Sequence, residues 1–153
     1  MMRDNYVSDI AFGKCTAATA DGRKSGEPLN DGGVSPVHGR EKKGPTAVAK
    51  SVGKLDIQRA PHGYILNQRF HPSAFKGDDK INLFIKYLRG FMDLGGWHIQ
   101  FNIVTSDILR EAKNKPEKYR DLLIRVAGYS AFFTQLEEEV QDDIIARTEH
   151  IAF

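Results

Sequence analysis

The chain of 153 residues has one cysteine, one tryptophan and six prolines, and almost no net charge. A single thiol, Cys15, cannot close an internal disulfide, so a reducing, cytoplasmic setting is expected. A formal charge of +2 offers no electrostatic case for nucleic acid or for a membrane surface. No apolar run approaches the length of a membrane span. The opening Met1-Met2-Arg3-Asp4-Asn5 lacks the apolar core of a signal peptide. Metal-ligand spacing is also missing: the histidines at 38, 62, 71, 98 and 150 share no common helix pattern, so no metal site is expected. Gly22-Arg23-Lys24-Ser25 is only superficially like a phosphate loop, because the Gly-x4-Gly-Lys-Ser/Thr arrangement is absent.

What is present is unevenly distributed. Residues 1–63 hold nine of the 14 glycines and four of the six prolines but one phenylalanine, whereas residues 64–153 hold eight phenylalanines and the tryptophan. The first segment reads as loop with little core of its own, and the second as a folded unit; no internal repeat is visible. Lys14–Ala20 reads as a short strand or coil. Pro45 opens a helix ended by Gly53. Tyr64–Phe70 reads as a strand, with Asn67, Gln68 and Arg69 as an ordinary polar strand face. A helix over 78–94 is capped by Asp78 or Asp79, buries Ile81, Phe84, Ile85, Leu88, Phe91 and Met92, and ends at Gly95-Gly96. Trp97–Val104 alternates as a half-buried strand whose polar face carries His98, Gln100 and Asn102. A helix capped by Thr105 or Ser106 follows, facing Ile108, Leu109 and Ala112 inward until Pro116. A last helix near 137–148 uses Leu136, Val140, Ile144 and Ile145. The acidic pairs 78–79 and 142–143 fit helix starts or polar faces.

Between these lies Leu123-Ile124-Arg125-Val126-Ala127-Gly128-Tyr129-Ser130-Ala131-Phe132-Phe133. The arms Leu122–Val126 and Tyr129–Phe133 are apolar enough to be buried on both faces. Gly128 interrupts a β-prone run where glycine weakens a strand. A hairpin tip or bulge is one reading. The other is that the glycine is itself the reagent. A Cα radical needs a planar centre between a donating amide nitrogen and a withdrawing carbonyl, and glycine has no side chain to crowd it.

Arg125-Val126-Ala127-Gly128-Tyr129 resembles the C-terminal signature of the glycyl radical enzymes: arginine, a β-branched residue, a small residue, glycine, tyrosine. Leu123 departs slightly from the Thr, Val or Ile more common there. Asp-Gly-Arg-x-x-Gly-x-Pro at 21–28, and Gly-Pro-Thr-Ala-Val, Lys-Ser-Val and Lys-Leu-Asp at 44–56, resemble the region just before the radical domain. Leu-Asn-Gln-Arg-Phe-His-Pro at 66–72 looks like the dehydratase and decarboxylase branch more than pyruvate formate-lyase.

The resemblance implies a mixed α/β (α+β) fold, the C-terminal fragment of a β/α-barrel enzyme. Residues 1–63 would end the barrel region and 64–153 would form the glycyl radical domain. Gly128 would store the radical, and Arg125, Val126, Ala127 and Tyr129 would shape its loop. The chain would bind no cofactor. A partner iron–sulfur activase using S-adenosylmethionine would remove one hydrogen from Gly128, and the radical would pass to a barrel cysteine. Cys15 lies in the wrong segment to be that cysteine, so activity without the barrel subunit or parent enzyme is not expected. A free-standing spare radical domain and an inactive interaction fragment are the alternatives. With the barrel absent, exposed apolar surface favours a homo-oligomer, and residues 124–133 are expected to swing out as a unit.

Overall fold

A computed structural model describes residues 8–56 and 63–153. The signal-peptide reading of residues 1–5 and the histidine at 62 lie outside them. Five helices and five strands are seen among the described residues: α1 (Ser8–Lys14), α2 (Pro45–Val52), β1 (Leu66–Phe70), α3 (Asp78–Asp93), β2 (Ile99–Ile103), α4 (Ser106–Asn114), β3 (Leu123–Arg125), β4 (Ser130–Phe132), α5 (Glu138–Ala146) and β5 (Glu149–His150). The fold is mixed α/β.

β1 is the centre of a parallel sheet ordered β2-β1-β5. Leu66 pairs with Ile99 and Phe70 with Ile103 on one side, and Arg69 pairs with Glu149 on the other. α3 supplies the crossover between β1 and β2 that a parallel pair requires. Each of the five β1 residues is buried. Leu66 faces α2 and α3, packing with Val48, Ala49, Val52, Tyr87 and Phe91. Phe70 sits in an aromatic cluster with Phe75, Tyr87, Phe101 and Phe153. Gln68 shares this face and accepts a 2.6 Å hydrogen bond from the Tyr87 hydroxyl, whose burial pushes its pKa up. Asn67 and Arg69 point to the opposite face, toward a second core. That core joins Leu109 and Ala112 of α4, Ile124 and Val126, Phe133, and Val140 and Ile144 of α5.

β3 and β4 form a separate antiparallel hairpin, with Leu123 opposite Phe132 and Arg125 opposite Ser130. Its tip is closed by the Val126 N–H donating to the Tyr129 carbonyl at 2.9 Å.

Several expectations need correction. α3 starts after Gly77, which offers no side-chain cap; Asp78 and Asp79 lie in the first turn, where their charge meets the helix dipole. Its end matches: the Gly96 N–H returns to Phe91 O and the Gly95 N–H to Met92 O, with Gly95 at φ 87°. Only one side of its apolar surface is covered. Tyr87 and Phe91 are buried, while Ile81, Ile85 and Met92 are 40–48% exposed. The apolar face of β2 is covered only in part: Ile99 and Phe101 are half-buried against the α2–α3 core, but Ile103 is 54% exposed, as is Trp97 (60%) just before the strand, whereas Gln100 on the polar face is buried. Ile108 is exposed beside the buried Leu109 and Ala112, because α4 meets its neighbours along a narrow stripe. The hairpin arms are not buried on both faces, since Leu123 and Phe132 face outward as an exposed cross-strand pair. Asp143 is buried in an ion cluster rather than set on a polar face. α1 and β5 are elements that periodicity did not reveal; each is too short to show a pattern.

The Asp-Gly-Arg motif is structural. Arg23 is fully buried and donates to the carbonyls of Thr16, Ala17, Lys24 and Glu27, which fixes the loop around it. Thr105 caps α4 as expected, its hydroxyl accepting from the Ile108 N–H at 3.1 Å.

The two sides of α3 should respond differently to truncation. Phe91→Ala is expected to cost about 3–5 kcal/mol and Ile85→Ala less than about 1.5 kcal/mol in urea denaturation, because only the first opens a cavity. Equal losses would contradict the burial assignment.

Candidate functional site

The hairpin tip places Gly128 at φ 76°, a left-handed conformation that no non-glycine residue adopts among the described residues. Val126 and Ala127 are buried, Tyr129 packs against the α4–α5 core, and Gly128 itself is exposed. The five-residue signature is therefore gathered in one bend whose glycine reaches the surface.

This bend is gripped by side chains, most of them from the polar face of the parallel sheet. Asn102 on β2 works like a strand: its amide donates to the Arg125 carbonyl at 2.7 Å and accepts from the Arg125 N–H at 2.9 Å. Gln100 Oε1 accepts from Arg125 Nε at 2.8 Å and from the Gly128 N–H at 3.4 Å. Gln100 Nε2 donates to Asn67 Oδ1. Asn67 Nδ2 donates to Asp31 at 2.6 Å and reaches the Val126 carbonyl at 3.4 Å. Arg125 also reaches Ser130 Oγ at 3.4 Å.

The Val126 carbonyl has a stronger partner in Arg147, whose Nη1 donates to it at 2.7 Å. Arg147 lies just beyond α5 and is buried. A buried guanidinium needs counter-charge. It pairs with Asp143 at 3.0 Å and lies 3.6 Å from Asp31. Burial opposes its charge, but the two carboxylates outweigh burial and hold its pKa above the ordinary value. His38 stands 3.3 Å from the other oxygen of Asp143. Arg69, whose pKa burial lowers, caps the end of α5 by donating to Ile144 O at 3.1 Å, to Ile145 O at 3.2 Å and to the Arg147 carbonyl. A cavity of about 10 Å³ lies among Asp31, Ser35, His38, Asn67, Arg69 and Arg147, room for about one water.

Asp9 on α1 completes the ion cluster. Its pKa is pushed up to about 6, first by burial and then by the charge of Asp143, against the pull of Arg147. One oxygen of its carboxyl is buried without a hydrogen-bond partner. The Tyr129 hydroxyl is also pushed up, mainly by burial.

Of the sequence-predicted residues, Arg125, Val126, Ala127, Gly128 and Tyr129 are brought together. Cys15 is an exposed thiol elsewhere on the surface. No group of histidine, cysteine or carboxylate side chains suited to a metal ion occurs among the described residues. Sequence reasoning missed Asp31, Asp143 and Arg147, and treated Asn67 and Asn102 as ordinary strand polarity. The available signal was amide side chains set inside strands between bulky apolar residues. Asp143 and Arg147, four residues apart near a helix end, were a second signal.

The family model described as "Glycine radical" matches residues 30–134, a span that includes the whole hairpin. The chain belongs to the glycyl radical family. It is 51% identical over 146 residues to the probable dehydratase YbiW of Escherichia coli (strain K12), covering 94% of this chain and 18% of that protein. It is 41% identical over 147 residues to the isethionate sulfite-lyase of Bilophila wadsworthia (strain 3_1_6), with 95% and 18% covered. Among solved structures, the glycerol-bound B12-independent glycerol dehydratase of Clostridium butyricum superposes with a TM-score of 0.89 at 51% identity, covering 94% of this chain and 18% of that one. A glycyl radical enzyme of Archaeoglobus fulgidus superposes at 0.83 with 43% identity, covering 92% and 18%. The chain thus spans about a fifth of the length of these relatives. It corresponds to the C-terminal glycyl radical region of the dehydratases and lyases. Among the described residues, no helix is long and apolar enough to cross a membrane.

The raised pKa of Asp9 gives a pH prediction. Between its ordinary value near 3.8 and about 6 the folded protein holds a proton that the unfolded chain has released, so stability falls as pH rises through this window and then levels. Asp9→Asn should remove this dependence. It should raise stability at pH 8 by about 1–2 kcal/mol, discounted for partial exposure. Urea titrations at pH 4 and pH 8 check this; a variant less stable than wild type at pH 8 would contradict it.

Proposed function

We propose that this chain is the radical-carrying C-terminal region of a dehydratase- or lyase-like glycyl radical enzyme, with Gly128 as the residue that stores the radical. The carrying observation is the position of Gly128: at the exposed tip of a hairpin, in a left-handed bend, on a buried polar cradle, inside the span matched by the family model. Arg125, Val126, Ala127 and Tyr129 shape that bend. An iron–sulfur activase using S-adenosylmethionine removes one hydrogen atom from the Gly128 Cα. That C–H bond breaks homolytically: the hydrogen atom would pass to a carbon radical that the activase makes by one-electron reductive cleavage of S-adenosylmethionine, leaving one unpaired electron on the Gly128 carbon between the amide nitrogen and the carbonyl. The cluster and S-adenosylmethionine belong to the activase.

Chemistry on a substrate requires the barrel and its cysteine, supplied by the rest of a parent enzyme or by another subunit. In this reading, residues 1–63 form the end of the barrel region and 64–153 the radical domain. The uncovered apolar residues of α3, with Leu94 and Trp97, together with the Leu123–Phe132 pair, support a large apolar partner surface. Until that surface is covered, self-association is expected. The site lies in the reducing cytoplasm, where a carbon radical and an activase cluster can both persist.

Anaerobic electron paramagnetic resonance after incubation with a dehydratase-type activase and S-adenosylmethionine tests the assignment. A glycine-type doublet is expected for wild type and its loss for Gly128→Ala. A doublet that survives Gly128→Ala, or no signal with an activase proven on another enzyme, would overturn the reading.

A further inference from the structure

We infer that Asn102 and Arg147 are positioning residues that set whether the Gly128 loop is docked, an inference that rests on Gly128 as the radical carrier. Among the described residues the hairpin is only two strands wide, and no backbone ladder joins β3 to the parallel sheet. A two-stranded hairpin is marginal by itself. Two carbonyls on the strand that leads into the glycine, those of Arg125 and Val126, are instead held by side chains distant in sequence. Asn102 holds the first from the edge of the parallel sheet. Arg147 holds the second from beyond α5, at 2.7 Å and with a formal charge behind the bond.

This arrangement separates the stability of the loop from that of the sheet. A backbone ladder must be torn to release a strand. A side-chain grip releases by rotation about χ angles and leaves both β1–β2 and β1–β5 pairing intact. The outward side chains Leu123 and Phe132 do not oppose release, since they are already exposed; Ile124, Val126 and Phe133 do, since they pack in the α4–α5 core, and the polar grips add to that apolar hold. The geometry also divides the labour between the grips. Asn102 fixes the direction of strand β3 through both polar groups of one peptide. Arg147 anchors the entry to the bend, and Asp31 and Asp143 keep its guanidinium charged and aimed. Weakening either grip should therefore raise the opening frequency of residues 126–129 without loosening α3.

Hydrogen exchange of the full chain, read by mass spectrometry, tests this with Asn102→Ala, Arg147→Lys and Arg147→Gln. Peptides over 123–133 are compared with those over 81–91 in the same sample. Exchange of the loop should be roughly tenfold faster in Asn102→Ala and Arg147→Gln, with α3 unchanged. Arg147→Lys, which keeps the charge but loses the fork, should fall between wild type and Arg147→Gln. Unchanged loop exchange in Asn102→Ala overturns the inference, and so does equal acceleration of loop and α3. Asn102→Ala alone decides the matter should the Arg147 variants fail to fold. The measurement needs no radical, so a negative result here leaves the paramagnetic resonance outcome standing, and the reverse also holds.

Discussion

A buried amide or guanidinium must find a partner, and β1 places Asn67, Gln68 and Arg69 inside the protein together. The surrounding elements are arranged by that demand. The Gln68 amide oxygen is paired within the aromatic layer by the Tyr87 hydroxyl, while its Nε2 is buried without a hydrogen-bond partner. The two terminal nitrogens of Arg69 are paired with the carbonyls that end α5, which draws that helix onto the sheet, while its Nε is left without a hydrogen-bond partner. Asn67 links Gln100 to Asp31 and leans on Val126, and so joins the sheet to the hairpin. A sheet with an apolar second face would have packed the hairpin by shape alone. Here polar pairing specifies which peptide groups of the hairpin meet which side chains, and Gly128 is positioned as a result.

The ion cluster has an excess of negative groups. Asp9, Asp31 and Asp143 surround one arginine, with His38 at the edge of Asp143. A low-dielectric site does not hold three carboxylates against one guanidinium, so Asp9 keeps its proton to a higher pH than an exposed aspartate would. Arg147 is thereby left with two firm acceptors, and its remaining nitrogen is directed to the Val126 carbonyl. Counter-charge, more than burial, aims this side chain at the bend.

Much of this was legible in the sequence. The glycine-rich to aromatic shift, the helices over 45–52, 78–93 and 106–114, the β1 and β2 strands and the five-residue signature were readable from periodicity and pattern. Burial was less legible. Periodicity identifies which residues share a face but not whether anything covers it: α3 carries apolar residues around more than half of its circumference, and this chain covers only the Phe91 side. The same limit applies to β2, where Ile99 and Phe101 pack on the α2–α3 core but Ile103 stays open, and the amide face is covered too because it meets the hairpin. Asp31 and Arg147 are 116 residues apart in sequence, and local pattern carries no information about pairs brought together by topology.

The central claim is that the amide face of the sheet and the buried ion cluster form one network that ends on the Val126 carbonyl. A double-mutant cycle between Asn67→Ala and Arg147→Lys, measured by urea denaturation, tests it most directly. The account predicts a coupling of about 1 kcal/mol or more, because both side chains bind the same carbonyl and the same Asp31. Additivity within about 0.5 kcal/mol would show two independent contacts and would contradict it.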